Sequence, residues 1–382
     1  MALKVAGRGS ISPFIVMDVM RAANEREASG RDVLHLEVGQ PSTPAPRAVR
    51  DAAKRALDSD RLGYTDAFGV PALRERIARF YDEEYGVATT PGRVVATTGS
   101  SGGFVLAFLA AFDAGDRVAL ASPGYPCYRN ILSAVGVEPV LIPVGPETNF
   151  QPTPEQIDEI SGDIDGLIIA SPSNPTGTMI GADDLRALVS YCEYRGIRLI
   201  SDEIYHGITY EEPACSALAF TNDAIVINSF SKYFSMTGWR LGWMVIPDSL
   251  VRAVECLAQN LFISPPTLSQ LAAVEAFDCR EELDANVEKY ARNRELLLAE
   301  MPRAGFDRLS NADGAFYLYA DVAHLTNDSQ EFSRRMLEET GVAATSGIDF
   351  DPDLGHRYMR FSFARRTEDI AEAISRLRDW LA

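Results

Sequence analysis

Lysine is scarce in this chain. Of 36 basic residues only Lys4, Lys54, Lys232 and Lys289 are lysine, so arginine carries the ordinary solvated positive charge. Basic residues are themselves outnumbered by 54 acidic ones, and the net charge of -18 argues against a nucleic-acid surface, because phosphate backbones repel such a protein. Any anionic ligand must then be met by local arginines. Long apolar runs are also missing. Stretches such as FVLAFLAAF (104–112) are far too short to span a bilayer, and MALKVAGRGSISPF at the N-terminus lacks the apolar core of a secretory leader. Cys127, Cys192, Cys215, Cys256 and Cys279 form no C-x-x-C pair, which reads as reduced thiols in a cytoplasmic protein rather than disulfides or a zinc site. His35, His206, His324 and His356 are equally dispersed, so no metal cluster is expected. There are no repeats and no low-complexity linker.

At 382 residues, with 46% hydrophobic and 24% charged, the chain suggests a soluble protein of two domains, or one large domain with an appendage. Helical spacing marks 12–29, 46–57 and 71–86, with a short strand in VLHLEVGQP (33–41). From about 93 the rhythm becomes strand, turn, helix, repeated: RVVATTG, RVALASP, PVLIPV, GLIIASP, IRLISDE, AIVINSF and LGWMVIP are strands. PEQIDEIS and ADDLRALVSYCEYRG are among the intervening helices. Continuous apolar strands alternating with helices predict a mostly parallel sheet covered on both faces. Residues 248–262 and 281–301 read as helices leaving that sheet, and AFYLYAD, YMRFSFA and a last helix form a smaller α+β domain.

In such sheets ligands sit beyond the carboxyl ends of the strands. There the sequence places GSSGG (99–103), SPGYPCY (122–128), SPSNPTGT (171–178), DEIY (202–205) and SFSK (229–232). GSSGG before a helix suits an anion, through free backbone N–H groups, serine donors and the helix dipole; a plain strand-to-helix turn is the alternative. A dinucleotide site fits less well, because the glycines are not spaced G-x-G-x-x-G. Asp202 closes an apolar strand, where a carboxylate needs a cationic partner unless it merely caps a turn. Lys232 lies in NSFSKYFSMTGWRLGW, and its nearest charged neighbours in sequence are Asp223 and Arg240. It is either a snorkelling lysine or a Schiff-base lysine whose amine pKa is depressed by apolar surroundings; arginine could not serve in the second role.

SFSK followed by GWRLGW, with SNPTGT and SDEIY upstream, resembles the class I/II aminotransferases of the fold-type I pyridoxal-phosphate enzymes. The resemblance runs from VGQP near residue 39 to YMRFSFA near 360. It implies an α/β three-layer sandwich with a mostly parallel central sheet plus a smaller α+β domain. The corresponding divisions are an N-terminal segment (1–45) packing with the small domain, a large cofactor-binding domain (46–280) and a small domain (281–382). It implies that Lys232 forms the imine with the cofactor's aldehyde and that Asp202 pairs with the ring nitrogen. Asn174 and Tyr205 match the groups on the ring oxygen, and Tyr125 the aromatic stacked on the ring. Ser100, Ser101, Ser229 and Arg240 match the phosphate set, which Tyr64 joins from the neighbouring subunit of a homodimer with shared active sites. Arg360 matches the arginine that clamps the substrate carboxylate, and Gly39 the loop closing over it.

The expected activity is transfer of an amino group between an L-amino acid and a 2-oxo acid by a ping-pong mechanism. Lys232, Asp202 and Tyr205 would be catalytic. Ser101 stands where aspartate-specific relatives place a lysine, which points to a neutral or aromatic donor beside Phe14, Tyr125, Phe316 and Tyr317, although those rings also suit core packing. The alternative is a carbon–sulfur β-lyase on the same fold.

Overall fold

The computed structural model describes residues 3–382. The N-terminal third holds α1 (Ile15–Ala28), β1 (Leu34–His35), α2 (Arg47–Ser59) and α3 (Pro71–Tyr85). α3 starts on a proline and stops at Gly86 in the left-handed conformation, the usual asymmetry of helix ends. Alternation follows: β2 (Val94–Thr97), α4 (Gly99–Ala111), β3 (Arg117–Ser122), α5 (Pro126–Val135), β4 (Glu138–Pro143), α6 (Pro154–Asp158), β5 (Gly166–Ala170), α7 (Ala182–Arg195), β6 (Arg198–Asp202), β7 (Ile225–Ser229) and β8 (Gly242–Val245). The remainder comprises α8 (Val251–Leu261), α9 (Thr267–Ala273), α10 (Arg280–Glu300), β9 (Tyr317–Asp321), α11 (Ser329–Thr340), β10 (Val342–Ala343), β11 (Thr345–Ser346), β12 (Tyr358–Ser362) and α12 (Thr367–Leu381).

Seven strands make one sheet in the order β2-β8-β7-β6-β5-β3-β4. The pairs from β4 through β7 are parallel, and β8 runs antiparallel to both its neighbours. The mostly parallel three-layer arrangement is therefore as the sequence predicts. Its two faces follow the period-two alternation of strand side chains. Leu167, Ile169, Leu199 and Val226 pack on the side of α3 and α7, whereas Ile168, Ile200, Ile225 and Ile227 pack against Phe104 and Phe108 of α4. Each fully buried side chain of this size contributes about 1.5–3 kcal/mol.

The second core lies around the antiparallel sheet β11-β12-β9, covered by α10, α11 and α12. β1 joins it by pairing in parallel with β10, Leu34 opposite Val342. The strand expected over 33–41 is only these two residues, because the chain then turns inward and carries the Gly39 carbonyl to Lys232. The expected helix beginning at Pro154 is a single capped turn. Among the described residues no helix is long and apolar enough to cross a membrane, and no three metal-ligating side chains cluster.

Candidate active site

The carboxyl ends of the parallel strands open onto a cavity of about 430 Å³. Gly39, Ser100, Ser101, Tyr125, Asn174, Asp202, Tyr205, Lys232, Arg240 and Arg360 all line it. Ser229 and Tyr64 do not. Ser229 is buried behind the wall, its hydroxyl bonded to the Leu241 carbonyl and to Ser231, and it is Ser231 that faces the cavity. Tyr64 is 84% exposed on the single chain. Phe316 is fully buried against Tyr205 and Tyr290, so it is core, whereas Phe14, Tyr125 and Tyr317 reach the cavity.

Lys232 is held by its flanks. Phe230 and Phe234 bracket it in sequence and pack into an aromatic cluster with Trp243 and Phe277, with Phe230 and Trp243 ring centres 4.9 Å apart. The cluster fixes both ends of the loop, so the half-buried lysine projects from a rigid base. Its Nζ donates to the Gly39 carbonyl at 2.6 Å. Burial lowers the amine to about 8; the charges of Arg360 and Arg240 add to this, and Asp202 opposes it.

Asp202 ends β6 at the cavity floor. Tyr128 donates its hydroxyl to Oδ2, and the Ile204 N–H donates to Oδ1 at 3.1 Å. Burial raises the carboxyl to about 6, while these donors and Lys232 hold it down. Tyr128 is a site residue that the sequence reading passed over. Its signal was proximity: Tyr125 caps α5 and Tyr128 lies in the first turn of that helix, with the two rings 5.3 Å apart.

The opposite end of the cavity is built for an anion. Ser100 and Ser101 stand in the first turn of α4, and Arg240 and Thr237 face them. Gly99 has φ +74°, and a Cβ there would lie 2.6 Å from Arg240 Nη2, so only glycine admits the guanidinium over this turn.

Arg360, on β12 of the small sheet, enters from the far side. Its guanidinium is sandwiched between the rings of Tyr317 and Phe350, 4.5 and 4.7 Å from their centres. Nη1 donates to Asn174 Oδ1 at 2.8 Å, and Nη2 donates to the Glu37 carbonyl. Its Nε is buried with no hydrogen-bond partner among the described residues.

This donor set fits pyridoxal phosphate. The serines, helix terminus and Arg240 match a phosphate. The wholly enclosed Asp202 has hydrogen-bond donors but, among the described residues, no ion-pair partner, and a protonated ring nitrogen would supply one. A neutral-capable amine lies within the same cavity.

The model of the family described as aminotransferase class I and II matches residues 31–377. A valine–pyruvate aminotransferase of Mycobacterium tuberculosis is 53% identical over 99% of this chain and 98% of its own length. A crystal structure of an aminotransferase from that organism superposes with a TM-score of 0.98 at 52% identity, covering 100% of this chain and 99% of the other. The aspartate aminotransferase of Thermus thermophilus with maleate superposes with a TM-score of 0.93 at 30% identity, covering 99% of this chain and 100% of that one.

Proposed function

The chain belongs to the aminotransferase class I and II family, whose members depend on pyridoxal phosphate, and we propose that it moves an amino group from a neutral L-amino acid to a 2-oxo acid in two half-reactions. The observation that carries this reading is the character of the cavity. Among the described residues its only basic lining groups are Lys232, Arg240 and Arg360, and the wall beside Gly39 is apolar: Phe14, Val16, Met17, Met20 and Val38. With the first two cations engaged by the cofactor and Arg360 by the α-carboxylate, a second carboxylate would be buried without a counter-charge. A donor of valine's size and a small acceptor such as pyruvate, as the Mycobacterium tuberculosis relative is named for, suit that wall.

The residues take these roles. Ser100, Ser101, Ser231 and Arg240 would hold the phosphate, with Ser229 orienting Ser231, and Tyr64 would reach the same phosphate across a homodimer. Asp202 would pair with the ring nitrogen, Tyr125 would cover the ring, and Asn174 with Tyr205 would donate to the ring oxygen. Arg360 takes the substrate carboxylate in a bidentate pair under the Gly39 loop. When bound, pyridoxal phosphate supplies an aldehyde that captures the amino group and a ring that accepts the electron pair left at Cα. Lys232 Nζ, uncharged in a useful fraction because its pKa is lowered, would take the proton from Cα and deliver it to the carbon of the cofactor's former aldehyde, and would carry a proton the opposite way in the second half-reaction.

The test is a single-turnover panel read by the absorbance of the bound cofactor. L-valine, L-alanine and L-phenylalanine should convert at least about tenfold faster than L-aspartate, the ~1.4 kcal/mol expected from one poorly compensated charge. Equal rates for valine and aspartate would overturn the neutral-donor reading. Pyruvate and ammonia released from cystathionine without an added 2-oxo acid would favour the lyase.

A further inference from the structure

Tyr317 was named in sequence only as an aromatic beside the pocket. In the fold it touches three parts of the site at once. Its hydroxyl is 2.7 Å from that of Tyr205. Its ring lies under the Arg360 guanidinium. The same hydroxyl occupies the space that a Cβ at residue 39 would need, so Gly39 and the carbonyl that receives Lys232 rest against it. The side chain is 1% exposed, so it is no ordinary wall residue.

We propose that Tyr317 is a positioning residue that makes Tyr205 a one-directional donor toward the cofactor ring while holding Arg360 flat for the substrate carboxylate. This rests on the roles given above to Tyr205 and Arg360. Two facing phenols can share one proton between their oxygens in either sense. Tyr205 can donate to the ring oxygen only if Tyr317 donates to Tyr205. Burial raises both phenols above their ordinary range, so both keep their protons at neutral pH and the relay Tyr317 to Tyr205 to ring oxygen is available. Successive donors polarise one another, so the outer hydroxyl strengthens the inner bond. Gly39 belongs to the same device, because any side chain there would displace the outer hydroxyl.

The consequence is measurable without turnover. A donor on the ring oxygen helps most when the nitrogen joining Lys232 to the cofactor has lost its proton, since that nitrogen then no longer shares its hydrogen with the oxygen. Weakening the donor therefore raises the pH at which the cofactor's visible absorbance changes. In the cofactor-loaded protein, Tyr317→Phe should raise that midpoint by about half a unit or more. It should leave the affinity for isovalerate, an unreactive carboxylate, within about twofold, because the ring still lies under Arg360. Tyr317→Leu should raise the midpoint equally and also weaken isovalerate about tenfold. A Tyr317→Phe protein with the wild-type midpoint, whatever its melting temperature, overturns the relay. An isovalerate affinity unchanged in Tyr317→Leu overturns the Arg360 half. A wild-type protein with no titrating absorbance removes the functional reading itself, and this proposal falls with it.

Discussion

Asp202 and Glu203 are neighbours in sequence, both buried, both carboxylic acids, and they serve opposite sides of one strand end. Consecutive side chains of an extended chain point to opposite faces. Asp202 faces the cavity, where Tyr128, the Ile204 N–H and the field of Lys232 restrain its pKa to about 6. Glu203 faces away. Its Oε1 accepts from Ser201, Ser216 and the Ala217 N–H, its Oε2 has no hydrogen-bond partner among the described residues, and burial pushes it up to about 8. The imidazole of His206 stands 3.7 Å from it and is driven down to about 4 by burial. At neutral pH the rear of the strand therefore carries a protonated acid and a neutral imidazole, and no charge. The front keeps its negative charge. Burial alone does not mark a catalytic carboxylate, and neither do donors, which both acids have; the difference is the neighbouring cation Lys232, whose field lowers Asp202 and is not felt by Glu203.

The largest break in that comparison should come from removing the front charge. Asp202→Asn should lower kcat/KM by roughly a thousandfold, about 4 kcal/mol of barrier, because in the proposed role of Asp202 the ring nitrogen would lose the anion that keeps it protonated. Its melting temperature should hold or rise, since a buried charge has gone. Glu203→Gln should cost less than about tenfold in kcat/KM. If the two variants lose activity equally, the division into front and rear fails.

That division was only half legible in the sequence. The strand ends that deliver Asp202, Asn174 and Lys232 could be read because each lies just beyond a continuous apolar run, and the chain order of a parallel sheet does the rest. The arginine of β12 could be placed only through the resemblance, since nothing local says that Tyr317 and Phe350 will enclose it. Ser229 ends β7 and Ser231 lies two residues beyond it, and which one reaches the cavity depends on the Leu241 carbonyl twelve residues after Ser229. The apolar wall from α1 was likewise hidden, because Met17 and Met20 read as one ordinary amphipathic face until the helix is packed against the small sheet. The rear cluster gave no sign at all: Tyr85, Ser171 and His206 meet only through long-range packing.

A second, smaller effect should separate the two acids by pH. Glu203 has a folded pKa raised from 4.5 to about 8, so the stability tied to its proton is complete below 4.5 and is lost as pH rises toward 8. Glu203→Gln has no such proton. The melting temperature of the variant minus that of wild type should climb between pH 5 and 8, reflecting a few kcal/mol at most. His206 supplies the other edge: its lowered pKa means stability is complete above 6.5 and is lost as pH falls through about 4. A flat difference across the neutral range would mean that Glu203 ionises in the fold, and the rear would then hold charge as the front does.

The smallest effect is the most discriminating, because it compares two buried tyrosine hydroxyls. Tyr128 donates to Asp202, and Tyr85 bonds to His206 Nδ1 at 2.8 Å while Nε2 of that ring faces the Ser171 carbonyl. The second nitrogen must carry the proton, so Tyr85 is the donor to a neutral ring. A bond to an ionised carboxylate contributes about 1.5–3 kcal/mol and a neutral one about 1 kcal/mol. Tyr128→Phe keeps the ring packed on Tyr125 and removes only the donor, so Asp202 holds its proton to a higher pH. The acid limb of kcat/KM should move upward, with a rate loss of roughly ten- to a hundredfold near neutrality. Tyr85→Phe should lower stability by about 1 kcal/mol and leave the pH profile in place. A shift of the acid limb in Tyr85→Phe would show that the rear cluster reaches through the strand to Asp202, and its absence in Tyr128→Phe would show that the Ile204 N–H and the cofactor suffice to keep the carboxylate ionised.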